Sequence, residues 1–141
     1  MGILSEKDRV AVRTELGKLA GPVRLVVFSS QLGSEYCVEN ERLMREVAEC
    51  SDQVGLEILN LHIDREKAAS YGVDRVPAVV VEGKRDFGVR FFGVPAGYEF
   101  TNLIDAMVTA SSGVPQLSPQ TLDRLQTLAS HLHIQVFSTP T

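Results

Sequence analysis

Ser34-Glu35-Tyr36-Cys37 has the frame of a Cys-x-x-Cys motif with serine in the first cysteine's place. In that motif the first sulfur sits at a helix N-terminus, where unpaired N–H groups and the helix dipole favour a thiolate. The thiolate attacks a disulfide, and the second cysteine resolves the mixed disulfide. A serine hydroxyl is not ionised near neutral pH and forms no disulfide. The frame therefore predicts a strand, a turn and a helix arranged for sulfur chemistry, with one of the two sulfurs replaced by oxygen.

The flanks agree. Val23–Ser29, upstream, is short and apolar around Leu25-Val26-Val27-Phe28, the pattern of a buried strand. Ser30–Gly33 is a loop. Downstream a helix is predicted from about Glu35 to Cys50, because Leu43, Val47 and Cys50 recur at i, i+4 and i+7 with Met44 and Ala48 alongside. Further out, Ser5-Glu6-Lys7-Asp8 reads as a capped helix start, with Val10, Leu16 and Leu19 on the inward side and Gly21-Pro22 as the stop. Val54–Leu61 reads as a second strand, and Arg65–Tyr71 as a short helix closed by Gly72. Val76-Pro77 leads into the strand Ala78-Val79-Val80-Val81, Glu82-Gly83-Lys84-Arg85 is turn material, and Val89–Phe92 returns antiparallel. A helix from Tyr98 to Ala110 turns Phe100, Leu103, Ile104, Met107 and Val108 inward. The order α, β, α, β, α, β, β, α predicts an α/β fold, a mixed central sheet flanked by helices.

The remaining segment echoes the beginning. Leu4-Ser5, helix, Leu25-Val26-Val27-Phe28-Ser29 is matched by Leu117-Ser118, helix, Ile134-Gln135-Val136-Phe137-Ser138. Internal repetition of this kind predicts a second, truncated unit. The expected organisation is one unit over 1–113, then a linker helix and the first strand of the second unit over 114–141, that strand running to Thr139-Pro140-Thr141. A chance likeness closing an ordinary α/β domain is the alternative.

Composition excludes several classes. The chain has 141 residues, 44% hydrophobic and 23% charged, with a net charge of −4 and no Lys/Arg cluster, which argues against a nucleic-acid partner. No apolar run reaches the roughly 18 residues of a membrane span, and the start does not read as a signal peptide. Two cysteines make no disulfide framework, so a reducing, cytoplasmic setting is expected. His62, His131 and His133 show no ligand spacing with the cysteines, and no glycine-rich phosphate loop is present, so neither a metal nor a nucleotide cofactor is expected.

Taken together, the element order, Glu35-Tyr36-Cys37, Val47-Ala48-Glu49-Cys50-Ser51-Asp52 and above all Asp86–Phe100, with Gly93-Val94-Pro95-Ala96-Gly97 at its centre, resemble the first unit of the glutaredoxin-like protein disulfide oxidoreductases. Those proteins carry two thioredoxin-fold units in tandem. A more distant resemblance is to the N-terminal domain of the flavoprotein that reduces alkyl hydroperoxide peroxidase, whose first thioredoxin fold lacks redox cysteines. The resemblance implies a thioredoxin-like fold and exchange of dithiols and disulfides with protein substrates or a redox partner protein, alongside the second thioredoxin unit. It aligns Ser34 with the nucleophilic cysteine, Cys37 with the resolving cysteine and Pro77 with a cis-proline facing them. Glu35, Tyr36, Val76 and Pro77 would line the substrate site, with the Val76 backbone free to pair with an extended peptide. The plain alternatives are a helix cap for Ser34, a small buried hydrophobe for Cys37 and a trans proline starting an edge strand for Pro77. Cys50 lies thirteen positions beyond Cys37, roughly 20 Å along one helix, so the two cannot pair within the chain.

Overall fold

The sheet is built around a strand with no solvent face. β1 (Val23–Ser29) is buried at every position but Arg24, which explains its continuous apolar run. It pairs in parallel with β2 (Val54–Asn60) and antiparallel with β3 (Ala78–Glu82), and β3 pairs antiparallel with β4 (Asp86–Phe92). The strand order is β2-β1-β3-β4. In this computed structural model residues 2–139 are described.

Alternation along the strands divides the core. Leu25, Val27, Val79 and Val81 face three helices, α1 (Glu6–Leu16), α2 (Glu35–Ala48) and α4 (Tyr98–Ser112). Val26, Phe28, Ala78 and Val80 face Ala68 of α3 (Arg65–Ser70) and Val73. Burying each such side chain fully is worth about 1.5–3 kcal/mol, so the central strands fix the frame on which the loops hang. Arg24 is flanked by Glu57 of β2 at 3.0 Å and Glu82 of β3 at 2.8 Å, tying the three strands together.

The mixed sheet with helices on both faces is the thioredoxin-like arrangement that the element order implies. Details differ. α1 stops at Leu16 rather than Leu19, and Val10 points outward at 53% exposure. Val12 and Leu16, four apart, make the buried stripe, and a residue two positions from Val12 falls on another side.

The larger difference is at the C-terminal side. α5 (Pro119–Gln126) forms, capped by Ser118, whose hydroxyl accepts the Thr121 N–H at 3.2 Å, but it buries no residue. The strand expected over His133–Ser138 is not formed. The segment 131–139 joins no ladder, and Ile134, Val136 and Phe137 are 80%, 84% and 90% exposed. Extended chain becomes strand only where a neighbour supplies the ladder, and neither edge of the sheet, β2 or β4, takes it up. Pro140 and Thr141, the expected end of that strand, lie outside the described residues.

Candidate functional site

The loop Ser30–Gly33 carries the chain from the end of β1 into α2. Ser34 occupies the N-cap of that helix with extended backbone (φ −67°, ψ 167°) and is solvent-exposed. Its hydroxyl makes no capping bond, so the expectation that it caps the helix holds for position and not for the side chain. Its carbonyl accepts the Cys37 N–H at 3.0 Å, one turn in. Glu35 adds a carboxylate in the first turn, where the helix dipole favours it.

Cys37 is only 2% exposed. A Cβ added at Gly33 would stand 2.8 Å from Cys37 Sγ and 2.8 Å from the Ser30 carbonyl oxygen. The sulfur therefore lies directly beneath the loop, and glycine leaves the room for it. The exposed oxygen of Ser34 and the buried sulfur of Cys37 thus occupy the first and fourth places of one helical turn.

Because β3 runs antiparallel to β1, its start lies at the sheet end where β1 finishes. That topology brings Val76-Pro77 to the same end as the N-terminus of α2. The Val76–Pro77 peptide bond is cis. Pro77 is buried, Val76 half-buried, and the Pro77 carbonyl accepts the Gly93 N–H at 2.9 Å, fixing the loop after β4. None of the loop hydrogen bonds engages the Val76 backbone. The rim is apolar and exposed, with Leu32, Tyr36 and Phe92 at 95%, 56% and 44%, and the Arg75 guanidinium lies 5.4 Å from the Phe92 ring.

Cys50 sits at the other end of α2, 8% exposed, with Sγ donating to the Glu46 carbonyl at 3.2 Å. Burial pushes its thiol up, against the pull of the Arg13 and Arg9 charges. Both cysteines are free thiols. Beside Cys50, the Glu46 carboxylate accepts the Ile3 N–H at 2.7 Å and the Leu4 N–H at 2.8 Å, and pairs with Arg9 at 3.1 Å. Among the described residues no three His, Cys, Asp or Glu side chains are grouped to hold a metal ion, and no helix is long and apolar enough to cross a membrane.

Two residues of the site escape a motif-based reading. Asn40 is fully buried and Ser29 is 4% exposed, and neither Ser29 Oγ nor either polar atom of the Asn40 side chain has a hydrogen-bond partner. Spacing could have found Asn40, which lies three positions after Cys37 and three before Leu43 on one stripe. A cleft of about 230 Å³ opens beside Ser29, between Ser29–Gln31, Glu41 and Ile58–Asn60.

No family model matches the chain. Among solved structures it is similar to a protein disulfide oxidoreductase from Aeropyrum pernix, with 30% identity and a TM-score of 0.78, covering 88% of this chain and 55% of that one. The alkylhydroperoxide reductase AhpF of Enterococcus faecalis shares the fold, with a TM-score of 0.77 at 23% identity over 89% of this chain and 61% of that one. The AhpF-type alkyl hydroperoxide reductase of Staphylococcus aureus is 28% identical over 113 residues, 79% of this chain. The chain spans only 16–20% of the length of the curated relatives it matches, and about half that of the Aeropyrum protein.

Proposed function

We propose that this chain, a thioredoxin-fold unit of the kind found in protein disulfide oxidoreductases and in the alkylhydroperoxide reductase AhpF, is a thiol–disulfide exchange unit silenced at its first sulfur position. The observation that carries this reading is the placement of exposed Ser34 at the α2 N-terminus, one turn above buried Cys37 and at the same sheet end as Val76-Pro77. A hydroxyl at that place leaves the scaffold standing and removes the nucleophile. Cys37 alone supports at most a mixed disulfide, so the unit by itself is weak or inactive. Glu35, Tyr36 and the free Val76 backbone would receive an extended protein segment, the Val76 amide and carbonyl pairing with it as an added strand.

Residues 114–141 on this reading lead into a second thioredoxin unit. Support comes from the tail itself, which buries no described side chain while presenting Ile134, Val136 and Phe137 outward.

The test is insulin reduction by dithiothreitol, with the chain compared against its Ser34→Cys variant. Acceleration by the variant alone supports a silenced site. Equal inactivity of both refutes exchange chemistry in this unit. The burial of Cys37 favours a second reading, a scaffold half that binds partner segments without redox chemistry. Glutathione disulfide separates the two, since a scaffold forms no adduct at Cys37 even after long incubation.

A further inference from the structure

The two edges of the sheet are not alike. On β4 the Asp86–Arg90 ion pair at 2.7 Å, the left-handed Gly88 (φ +89°) and a register shift between Val80 and Glu82 interrupt the ladder. Charges and irregularities of this kind keep a free edge from pairing. β2 is regular, in unbroken register with β1 from Val54 to Asn60. It holds no proline and one charge, Glu57, which Arg24 and Lys67 already bind at 3.0 and 2.6 Å. The Val23 N–H donates to the Gln53 carbonyl and the Leu61 N–H to the Ser29 carbonyl, so the odd-numbered residues of β2 face β1. Backbone groups alternate sides along a parallel strand, and those of Leu56 and Ile58 therefore face the open edge. Two clefts follow that edge on the α2 side. One of about 300 Å³ lies between Arg45, Ala48, Glu49 and Leu56, and the other, of about 230 Å³, lies at Ile58 and Glu41.

We propose that residues 133–138 of a second copy of this chain add to β2 as a parallel strand, each copy lending its segment to the other. The segment repeats the pattern of the strand that β2 already pairs with. β1 sets Leu25 beside Leu56, Val27 beside Ile58, Phe28 beside Leu59 and Ser29 beside Asn60. Ile134, Val136, Phe137 and Ser138 fall on those same four positions. In that register Ile134 and Val136 lie on the α2 side, over the two clefts, and Phe137 lies on the α3 side beside Leu59 and Leu61. The Leu56 and Ile58 amides donate to the His133 and Gln135 carbonyls, and their own carbonyls accept from the Gln135 and Phe137 amides. Gln135 stands beside Glu57, so no like charges meet. Antiparallel registers that keep Ile134 and Val136 on the α2 side set Phe137 beside Glu57 or Gly55, or push Ile134 past the end of β2. The partner is a second copy because the segment leaves β2 of its own molecule open. It makes no hydrogen bond among the described residues, and its apolar side chains stand in solvent. One added strand is small against the roughly 1,200–2,000 Å² of a stable interface. Reciprocal exchange doubles the contact and closes the pair with two-fold symmetry. The echo of β1 that reads as the opening of a second unit also carries what β1 does, which is to pair with β2. Nothing in this pairing depends on the chemistry at Cys37, so its test is independent of the insulin experiment.

The experiment is sedimentation velocity of the full chain over about 5–500 μM, with dithiothreitol present so that no dimer is linked through a cysteine. A dimer is expected. Gln135→Pro is expected to raise its dissociation constant at least about tenfold, because proline removes the amide that the Leu56 carbonyl accepts. Since 133–138 buries no side chain, the variant keeps the fold of the monomer and its circular dichroism spectrum. Isotope-filtered NMR on a mixture of nitrogen-labelled and carbon-labelled chains is expected to place the Ile58 amide of one copy against the Val136 methyls of the other. A monomer throughout the range, whether its segment is free or laid on its own β2, overturns the proposal. So does a dimer that Gln135→Pro leaves unchanged, or one in which Val136 meets β4.

Discussion

Glu46→Gln isolates how the N-terminal segment is held to α2. The Glu46 side chain, 10% exposed, accepts two backbone N–H groups at 2.7 and 2.8 Å and meets Arg9 at 3.1 Å. Hydrogen bonds to a charged group are worth about 1.5–3 kcal/mol each. Glutamine keeps the size and can accept one of the two, while turning an N–H₂ toward the other. Ile3 and Leu4 are half-buried, so the freed amide regains some hydration, and the net loss is about 2 kcal/mol at pH 7 by the same scale. For a chain of this size that lowers Tm by roughly 6–10 °C. Burial by itself would raise the Glu46 carboxyl, but the Leu4 and Ile3 amides and the Arg9 and Arg42 charges outweigh it and hold it below the ordinary glutamate value. A depressed carboxyl contributes stability that is full above the unfolded glutamate value, about 4.3. It is lost as pH falls through the folded value. Urea unfolding of both proteins at pH 7 and pH 3 is the assay. The gap between them should be about 2 kcal/mol at pH 7 and shrink by pH 3. A gap below about 0.5 kcal/mol at pH 7, the size of an ordinary surface change, or one that does not depend on pH, refutes the latch.

Gly33→Ala places a methyl 2.8 Å from both Cys37 Sγ and the Ser30 carbonyl, and should cost about 1–3 kcal/mol. Adding Cys37→Ala relieves one contact of the two, so the double variant recovers only part of that loss in urea titration, and full recovery would mean the Ser30 carbonyl is free to move. Gly83→Ala is harsher, because its Cβ would fall 1.9 Å from the backbone oxygen of Ala110 and 2.1 Å from its carbonyl carbon. No rotamer relieves a backbone clash, so a loss at or beyond the upper end of overpacking, about 3 kcal/mol, is expected by thermal melting. A melt within about 2 °C of the parent, less than 1 kcal/mol for a chain of this size, would show that the β3–β4 turn does not pack on α4.

The fold was legible wherever a period and a punctuating residue agreed. β1 and β3 announce themselves as apolar runs because both faces of each are covered, and Gly72 closes α3 as expected with φ of +68°, whereas α4 runs past the expected Ala110 to Ser112 before Gly113, at φ +71°, stops it. Val10 misled because a β-branched residue in a helix looks core-facing until the stripe is anchored on Val12 and Leu16. The site was legible only in part. Ser34 and Cys37 stood out by motif spacing and Pro77 only through the family resemblance, and a motif names candidate reacting atoms and not their support. Asn40 reads in sequence as a helix-surface residue, since Asn is rarely buried, and Ser29 reads as the polar end of a strand. Only the return of α2 over β1 puts both against the core. The segment 133–138 failed for the opposite reason. Its pattern is that of a strand, but a strand is a property of a pair, and the partner is not specified by the segment's own residues.

That distinction bears on how Ser34 should be weighed. Replacing oxygen by sulfur there changes one atom at an exposed N-cap whose side chain makes no bond to the helix. Nothing that positions the site depends on that atom. Cys37 is placed by the loop and by Gly33, and Pro77 by the antiparallel start of β3 and the Gly93 N–H. Ser34→Cys should therefore fold with a Tm close to that of the parent, and any gain in disulfide exchange can be read as chemistry without correcting for stability. A variant that loses more than about 1 kcal/mol, the typical worth of a capping side chain, would show that the Ser34 hydroxyl does cap α2 in solution. The oxygen would then be a structural choice with no implied ancestor in sulfur.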